Sequence, residues 1–141
     1  MLFRSQIEFA YTSSIQEIDA AFARLAQMRT EAVLVNPAPV LLFQSRRVQL
    51  ALLAVRHMLP VMYPIRPYVE AGGLMSYGAD GFDSDRQVGN YTGRILHGEK
   101  PADLPVLLAT KFELVINQQA ARTIGLEIPP TLLATADEVI E

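Results

Sequence analysis

The chain has 141 residues, no cysteine and a formal net charge of −3. This length corresponds to about one domain, and a hydrophobic fraction of 50% with 19% charged residues excludes a disordered chain. The lack of cysteine excludes disulfides, thiolate nucleophiles and zinc sites of the cysteine type, and the negative net charge argues against a nucleic-acid-binding domain.

The first third of the chain predicts a strand and a helix. Residues 1–5 look unrelated to the rest of the chain, and we interpret them as a non-native leader. Ile7 to Tyr11 is expected to form a short strand. Ser14 then offers an N-cap, and Glu17 lies three residues later, which is the spacing of a capping box. An apolar residue recurs at helical spacing up to a predicted helix end near Arg29.

The middle of the chain alternates between strands and helices. Residues 32–35 form a short β-branched run that is typical of a buried parallel strand. A second helix is predicted from after Pro39 to about Met58. It is followed by a strand over 59–63, a short turn or helix over 67–71 and a strand over 74–77.

The last third continues the alternation. A long helix is predicted from Asp83 to His97, then a loop to Pro105, a strand over 111–116, a helix ending at Gly125 and a short terminal helix over 131–139. Strands and helices that alternate with short connections are typical of a parallel sheet flanked by helices. The predicted fold class is therefore α/β.

The high mean hydropathy of +0.20 raises the question of a membrane span. A transmembrane helix needs about 20 consecutive apolar residues. The longest uncharged stretch, 32–45, is shorter and contains Asn36 and two prolines. Residues 1–11 also lack the apolar core of a secretory signal. We therefore assign the apolar excess to a buried core or to a surface that meets a partner.

Three segments are candidates for a ligand site because ligands of open α/β sheets bind beyond the carboxyl ends of the strands. They are 36–39, 63–66 with Glu70 nearby, and 77–80. Each segment is also composed of turn-forming residues, so an ordinary turn is the alternative interpretation. Their equivalent positions after successive strands favour a cleft.

Evidence for catalysis is weak in this sequence. There is no glycine-rich phosphate loop, and 73–78 has one residue too many before its serine to be a nucleophile elbow. The histidines, His57 and His97, both come late in predicted helices, where histidine commonly interacts with the helix end. We predict no catalytic residue, no metal and no cofactor. A small α/β enzyme would require one of these histidines to meet a carboxylate or serine.

Several blocks of sequence resemble one family. They are Leu59-Pro-Val-Met-Tyr63, 69–78 (VEAGGLMSYG), 94–105 (RILHGEKPADLP), 111–117 (KFELVIN), 120–126 (AARTIGL), Ile128-Pro-Pro130 and 136–140 (ADEVI). In this order they resemble the substrate-binding proteins of ABC transporters, of the tryptophan/tyrosine transport type. The likeness covers about residues 7–141.

The resemblance implies a type I periplasmic-binding architecture, in which two α/β lobes close on a ligand and the closed form docks on a membrane permease. The chain resembles the second half of such a protein. Residues 6–141 are therefore expected to be an incomplete C-terminal lobe, without the N-terminal lobe and without the opening strand–helix unit of their own lobe.

The resemblance also implies where the chain passes between the lobes. Residues 74–77 would lead out of the C-terminal lobe, the helix Asp83–His97 would pack on the N-terminal lobe, and 111–116 would lead back. Val88, Tyr91 and Ile95 would then face a lobe that this chain lacks, which explains the apolar excess.

By the same resemblance, Asn36, Tyr63, Glu70 and Tyr77 are the expected ligand-binding residues. Asn36 would bond a polar group, the tyrosines would stack on an apolar one, and Glu70 would pair with an ammonium. The implied function is capture of an amino acid or similar solute, with an ABC permease as partner, no nucleic acid, and a periplasmic or cell-surface lipoprotein location for the full-length form. The alternative is a ligand-sensing lobe of a transcriptional or signalling regulator.

Overall fold

The computed structural model describes residues 6–36 and 40–141, with the side chains of Val40 and Leu41 excepted. The predicted leader, 1–5, and the loop residues 37–39 lie outside the described residues. The helices are α1 (Ile15–Gln27), α2 (Val40–Gln44), α3 (Arg47–Arg56), α4 (Pro67–Glu70), α5 (Gly81–Leu96), α6 (Gln118–Thr123) and α7 (Pro130–Leu133), with a 3₁₀ turn at Pro101–Asp103.

Helix α1 begins where its sequence predicts. The Oγ of Ser14 accepts a hydrogen bond from the N–H of Glu17 at 3.2 Å. The Glu17 carboxylate accepts from the N–H of Ser13 at 2.6 Å, one residue before the cap. This bond from the Ser13 backbone lowers the pKa of Glu17. The apolar stripe then turns Ile18 and Phe22 into the core, so the predicted amphipathic helix is confirmed.

The single helix predicted between Pro39 and Met58 is wrong, because α2 and α3 are separate helices. The chain leaves helical geometry at Ser45 and Arg46, between the end of α2 and the start of α3. The hydroxyl of Ser45 donates to the Leu42 carbonyl at 2.9 Å. Serine hydroxyls that bond nearby carbonyls compete with continued helix, which accounts for the break.

Within the described residues, five strands form one sheet in the order β1-β2-β3-β4-β5. They are β1 (Val33–Leu34), β2 (Val61–Tyr63), β3 (Met75–Ala79), β4 (Phe112–Asn117) and β5 (Glu138–Ile140). Neighbouring strands are parallel except β3 and β4, which are antiparallel. The α/β class is confirmed. The antiparallel pair arises because β3 runs out toward α5 and β4 runs back.

The terminal helix predicted over 131–139 is wrong in its second half. Helix α7 ends at Leu133, and β5 follows. Asp137 lies between them, where its carboxylate accepts from the N–H of Leu114 at 2.7 Å. This bond aligns the chain with β4, so backbone pairing outweighs helix propensity here. A strand that depends on a distant partner leaves little local signal.

The strand predicted at Ile7–Tyr11 is also not formed in the described structure. Residues 6–13 have no regular secondary structure, and each residue from 6 to 11 is exposed. A strand is stable only when it pairs with another strand, and the described residues supply no partner here.

Two cores cover the sheet from opposite sides. On the front face, defined by Val35, Val61 and Tyr63, the sheet packs on α1, α3 and α4. On the back face, defined by Met75 and Ile116, it packs on α6 and the segment up to α7. No helix in the described part of the chain is long and apolar enough to span a membrane.

Candidate functional site

Asn36, Pro64 and Tyr77, one from each predicted ligand segment, lie at the carboxyl edge of the parallel strands. Leu34 aligns with Met62, and the N–H of Val35 still donates to the Met62 carbonyl at 3.0 Å, so the alignment continues beyond β1. Tyr63 aligns with Ser76 in the next pair. Continuing the first register by two residues and the second by one brings Asn36, Pro64 and Tyr77 into one row across this edge. Asn36 and Tyr77 are both exposed there.

Gly78 allows β3 to pass close to the segment after β2. A Cβ at this position would lie 1.9 Å from the carbonyl oxygen of Pro64, a distance that no side chain can adopt. The glycine therefore sets the narrow spacing between Tyr77 and the loop beside it.

An exposed aromatic pair occupies the same region. The rings of Tyr77 and Phe112 stack with centroids 5.9 Å apart and planes at 21°. Tyr77 is 56% exposed and Phe112 is 48% exposed, so most of this apolar surface faces solvent. Phe112 is not among the ligand-binding residues predicted from the sequence. A signal was available in the predicted path of the chain. The first residue of the returning strand lies opposite the end of the outgoing strand, so an aromatic residue there comes close to the candidate site.

Tyr63 lies in the core rather than at the surface. Its side chain is fully buried and stacks on Tyr68 with centroids 5.1 Å apart. Its hydroxyl has no hydrogen-bond partner among the described residues, and burial raises the pKa of this phenol. A ligand would reach this ring only if the surrounding core opened.

Glu70 is engaged by a neighbouring arginine. The Arg66 guanidinium donates to Glu70 at 2.7 Å and to both carboxylate oxygens of Glu138, at 2.8 and 2.7 Å. Glu113 lies 3.6 Å from the same group. These bonds, first that to Glu138, raise the pKa of Arg66. Three carboxylates around one guanidinium leave an excess of negative charge on this part of the edge.

A second ion pair fixes the place where the chain crosses from β3 to α5. The Asp80 carboxylate accepts from the N–H of Phe82 at 2.9 Å and caps α5, and its other oxygen lies 2.6 Å from Lys111 Nζ. The N–H of Asp80 also donates to the Lys111 carbonyl at 3.0 Å. Lys111 first, then the N–H of Asp83, holds the pKa of Asp80 below its usual value.

The long helix predicted from Asp83 to His97 is confirmed as α5, and in the described structure none of its residues is buried. Val88 is 65% exposed and Ile95 is 40% exposed. Tyr91 is half-buried, and its hydroxyl donates to the Pro105 carbonyl at 2.6 Å. Between α5 and residues 101–109 lies an open hollow of about 580 Å³ with mostly apolar walls.

Neither histidine meets a catalytic partner in the described residues. His57 and His97 occupy the C-cap positions of α3 and α5, as the sequence indicates. The ring of His97 lies 2.7 Å from the Gly93 carbonyl. Within residues 6–36 and 40–141, no group of three or more histidine, aspartate or glutamate side chains is placed to hold a metal ion.

Comparison with known proteins identifies the family. The profile of the ABC transporter substrate binding protein family matches residues 6–140. The chain belongs to this family. The resemblance drawn from the sequence blocks is thereby confirmed. No curated protein matches the chain significantly.

Solved structures agree with this assignment. An ABC domain from Streptococcus pneumoniae, solved in complex with L-Trp, superposes with a TM-score of 0.77 and is 27% identical over 89% of this chain. A conserved domain protein from Vibrio cholerae gives a TM-score of 0.74 and 28% identity over 88%. A ligand-free, open substrate-binding protein with adhesive properties from Clostridium difficile shares the fold, with a TM-score of 0.61 and 18% identity over 92%.

The chain spans only part of these relatives. It corresponds to 41% of the pneumococcal and Vibrio chains and to 42% of the Clostridium chain.

Proposed function

We propose that the chain provides one side of a solute-binding cleft in an ABC importer, and that its solute is an amino acid or a similar molecule with a planar apolar group. The observation that carries the proposal is the exposed, stacked pair Tyr77 and Phe112 at the carboxyl edge of the sheet. An aromatic platform of this kind binds another planar ring through stacking and apolar contact.

Polar groups along the same edge of the sheet suit the rest of an amino acid. Asn36 lies in the same row as Tyr77 and offers an amide to a polar ligand group. The cluster around Arg66 carries more negative than positive charge, which favours a ligand ammonium. Glu70 would have to share its carboxylate between Arg66 and that ammonium.

The pneumococcal relative, solved with L-Trp, supports an aromatic amino acid as the first ligand to test. In the longer protein, we propose that closure of two lobes on the solute precedes its delivery to a membrane permease, outside the cytoplasm and without catalysis. The cleft then needs binding energy from both lobes. A micromolar ligand requires about −8 kcal/mol in total.

The test is a titration of the 141-residue chain with L-Trp, followed by amide chemical shifts. We expect a weak complex with a Kd of about 1 mM or above, because half a cleft supplies about half of the required free energy. The shifts should centre on Tyr77, Phe112 and Asn36. Tyr77→Ala should weaken binding by about 2- to 10-fold, the range that corresponds to one aromatic stacking contact.

Tyr11→Ala is the matched control, since Tyr11 is 88% exposed and lies outside the strands. It should leave the titration unchanged. Shifts that avoid the carboxyl edge would contradict the proposed platform, and micromolar binding by this chain alone would contradict a shared cleft.

A further inference from the structure

The segment that follows β2 crosses the front face of the neighbouring strand β3. Tyr63 belongs to the front face and aligns with Ser76. Alternate residues of a strand share a face, so Gly78 also faces the front. A Cβ on Gly78 would collide with the carbonyl oxygen of Pro64. The chain can cross β3 at this point only because the glycine has no side chain.

Arg66 continues this crossing to the far strand of the sheet. Its guanidinium donates to both carboxylate oxygens of Glu138 in β5, at 2.7 and 2.8 Å, and to Glu70 at 2.7 Å. Glu113 in β4 lies 3.6 Å from the same group. Because β3 and β4 lie between β2 and β5, residues 64–66 bridge the sheet over both of these strands.

The carboxylates of β4 and β5 face the front as well. Glu113 aligns with Gly78, and Glu138 aligns with Val115, two residues further along β4. Aligned residues of neighbouring strands share a face. The side chains of Arg66 and Glu113 are 26% and 17% exposed, so solvent screens their attraction less than that of a surface ion pair. The arginine therefore holds β3 and β4 from the front.

The exposed aromatic pair lies on the opposite face at the same position. Tyr77 and Phe112 directly precede Gly78 and Glu113 in the chain, so their side chains point to the back face. About half of each ring is exposed, and their own surroundings therefore constrain them little. A shift of Gly78 relative to Glu113 would separate the two rings.

Backbone hydrogen bonds join the strands at this position. The N–H of Asp80 donates to the Lys111 carbonyl at 3.0 Å. In an antiparallel pair, hydrogen-bonded pairs of residues recur at every second position. Gly78 and Glu113 are two positions further along, so they form such a pair. Their amide hydrogens report whether the outer part of the β3–β4 ladder is held in place.

We propose that Arg66 is the positioning residue of this aromatic pair. It acts from the front face, through the backbone of Gly78 and Glu113, on two rings that lie on the back face. Arginine suits this role because its planar fork bonds two carboxylates at once, whereas lysine presents a single point charge. A consequence for solute binding rests on the proposed function, but the positioning of the rings does not.

The first test compares Arg66→Met with the native chain by NMR, without solute. Nuclear Overhauser contacts between the rings of Tyr77 and Phe112 should fall at least twofold. Amide hydrogen exchange at Gly78 and Glu113 should become about tenfold faster, because the outer ladder opens locally.

An amide deeper in the same ladder is the internal reference. The N–H of Asn117 donates to the Leu74 carbonyl at 2.8 Å, at the inner end of β3 and β4. Its exchange should change less than twofold in Arg66→Met. A general loss of stability would instead accelerate all of these amides alike.

Further substitutions separate the geometry of the bridge from its charge. Glu138→Gln removes the main partner and should give the same pattern more weakly, and it serves as the test if Arg66→Met does not fold. Arg66→Lys keeps the charge and should recover less than half of the lost ring contacts. Arg86→Met is the matched control, because it removes an ion pair with Asp83 within α5 and should leave the rings unchanged. Circular dichroism establishes that each variant keeps the fold.

Titration with L-Trp adds a readout in which charge and position predict opposite changes. Arg66→Met leaves three carboxylates without their cation, so a purely electrostatic role would tighten the binding of a ligand ammonium. Loss of positioning should weaken binding about threefold, within the range of one aromatic stacking contact. If the native chain does not bind L-Trp, the proposed solute site is wrong, and the ring contacts still decide the role of Arg66.

Three results would overturn the positioning role. The first is unchanged ring contacts in both Arg66→Met and Glu138→Gln. The second is equal acceleration of exchange at Asn117 and Glu113, which would show that Arg66 only stabilises the fold. The third is full recovery of the ring contacts in Arg66→Lys, since charge alone would then be sufficient.

Discussion

Two amphipathic helices of this chain have opposite surroundings. Helix α1 packs Ile18, Phe22 and Leu25 into the front-face core, and none of these side chains is more than 9% exposed. Helix α5 also has an apolar side, at Val88, Tyr91 and Ile95, yet in the described structure it buries no residue. Apolar residues at helical spacing thus predict a helix and its apolar side. They do not predict whether the described chain supplies the surface on which that side packs.

The two helices are also held differently. Helix α5 has a strong local start, since Asp80 caps it through the N–H groups of Phe82 and Asp83 at 2.9 and 3.2 Å. Isolated helices of this length are marginal in water, so capping and the Lys111 ion pair must do more for α5 than for α1. Stability in the chain is therefore expected to be uneven, with the front-face core dominant.

The largest expected effect comes from truncating matched phenylalanines in the two helices. Phe22→Ala in α1 removes a ring that is 5% exposed and should lower the free energy of unfolding by about 3–5 kcal/mol. Phe82→Ala in α5 removes a ring that is 81% exposed and should change it by about 0.5 kcal/mol or less. Urea unfolding followed by circular dichroism measures both. Equal losses would show that α5 is buried in solution.

An intermediate effect is expected at two glycines. In Gly78→Ala the new methyl group collides with the Pro64 carbonyl, and we expect a loss of about 1–3 kcal/mol. In Gly89→Ala, inside α5, the added Cβ meets no atom within 4 Å beyond its chain neighbours and the backbone of its own helix. Alanine is the better helix former, so a gain of about 0.5–1 kcal/mol is expected. Thermal unfolding tests the pair, and a stable Gly78→Ala protein would mean that β3 and the Pro64 loop are further apart than described.

Much of the fold can be predicted from local sequence signals. The Ser14 cap and its apolar stripe predict α1, and the β-branched or apolar runs predict β1 to β4 within a few residues. The failures share one cause. The strand at Ile7–Tyr11 needs a neighbour that the described residues do not provide, and β5 exists because it pairs with β4. Pairing over long distances in sequence leaves little trace in a short segment.

The rule that ligands bind beyond strand ends leads to the carboxyl ends of β1, β2 and β3, and these ends lie at one edge of the sheet. Ligand binding at this edge stays a prediction. The rule does not say which way each side chain points. Tyr63 turns inward onto Tyr68, and Glu70 bonds Arg66, because alternation along a strand and charge pairing across elements decide those orientations. Phe112 was missed because its neighbour Tyr77 is distant in sequence.

The smallest expected effect concerns the ion pair that ties α5 to β4. Asp80 has a lowered pKa in the folded chain, chiefly because its carboxylate accepts a hydrogen bond from Lys111. A carboxyl whose pKa is lowered by folding stabilises the fold above its unfolded pKa of about 4, and this contribution disappears as the pH falls toward the folded value. The melting temperature of the native chain should therefore drop as the pH falls below about 4.

Asp80→Asn keeps a capping side chain for α5 but removes the charge, and Lys111→Met removes the partner. In each variant the melting temperature should fall less steeply as the pH is lowered. The effect on stability should be smaller than the loss expected for Gly78→Ala at neutral pH. Because the two substitutions remove the same interaction, the double variant should flatten this pH dependence no further. Additive effects would show that Asp80 and Lys111 act separately, and α5 would then be held at this end by its cap alone.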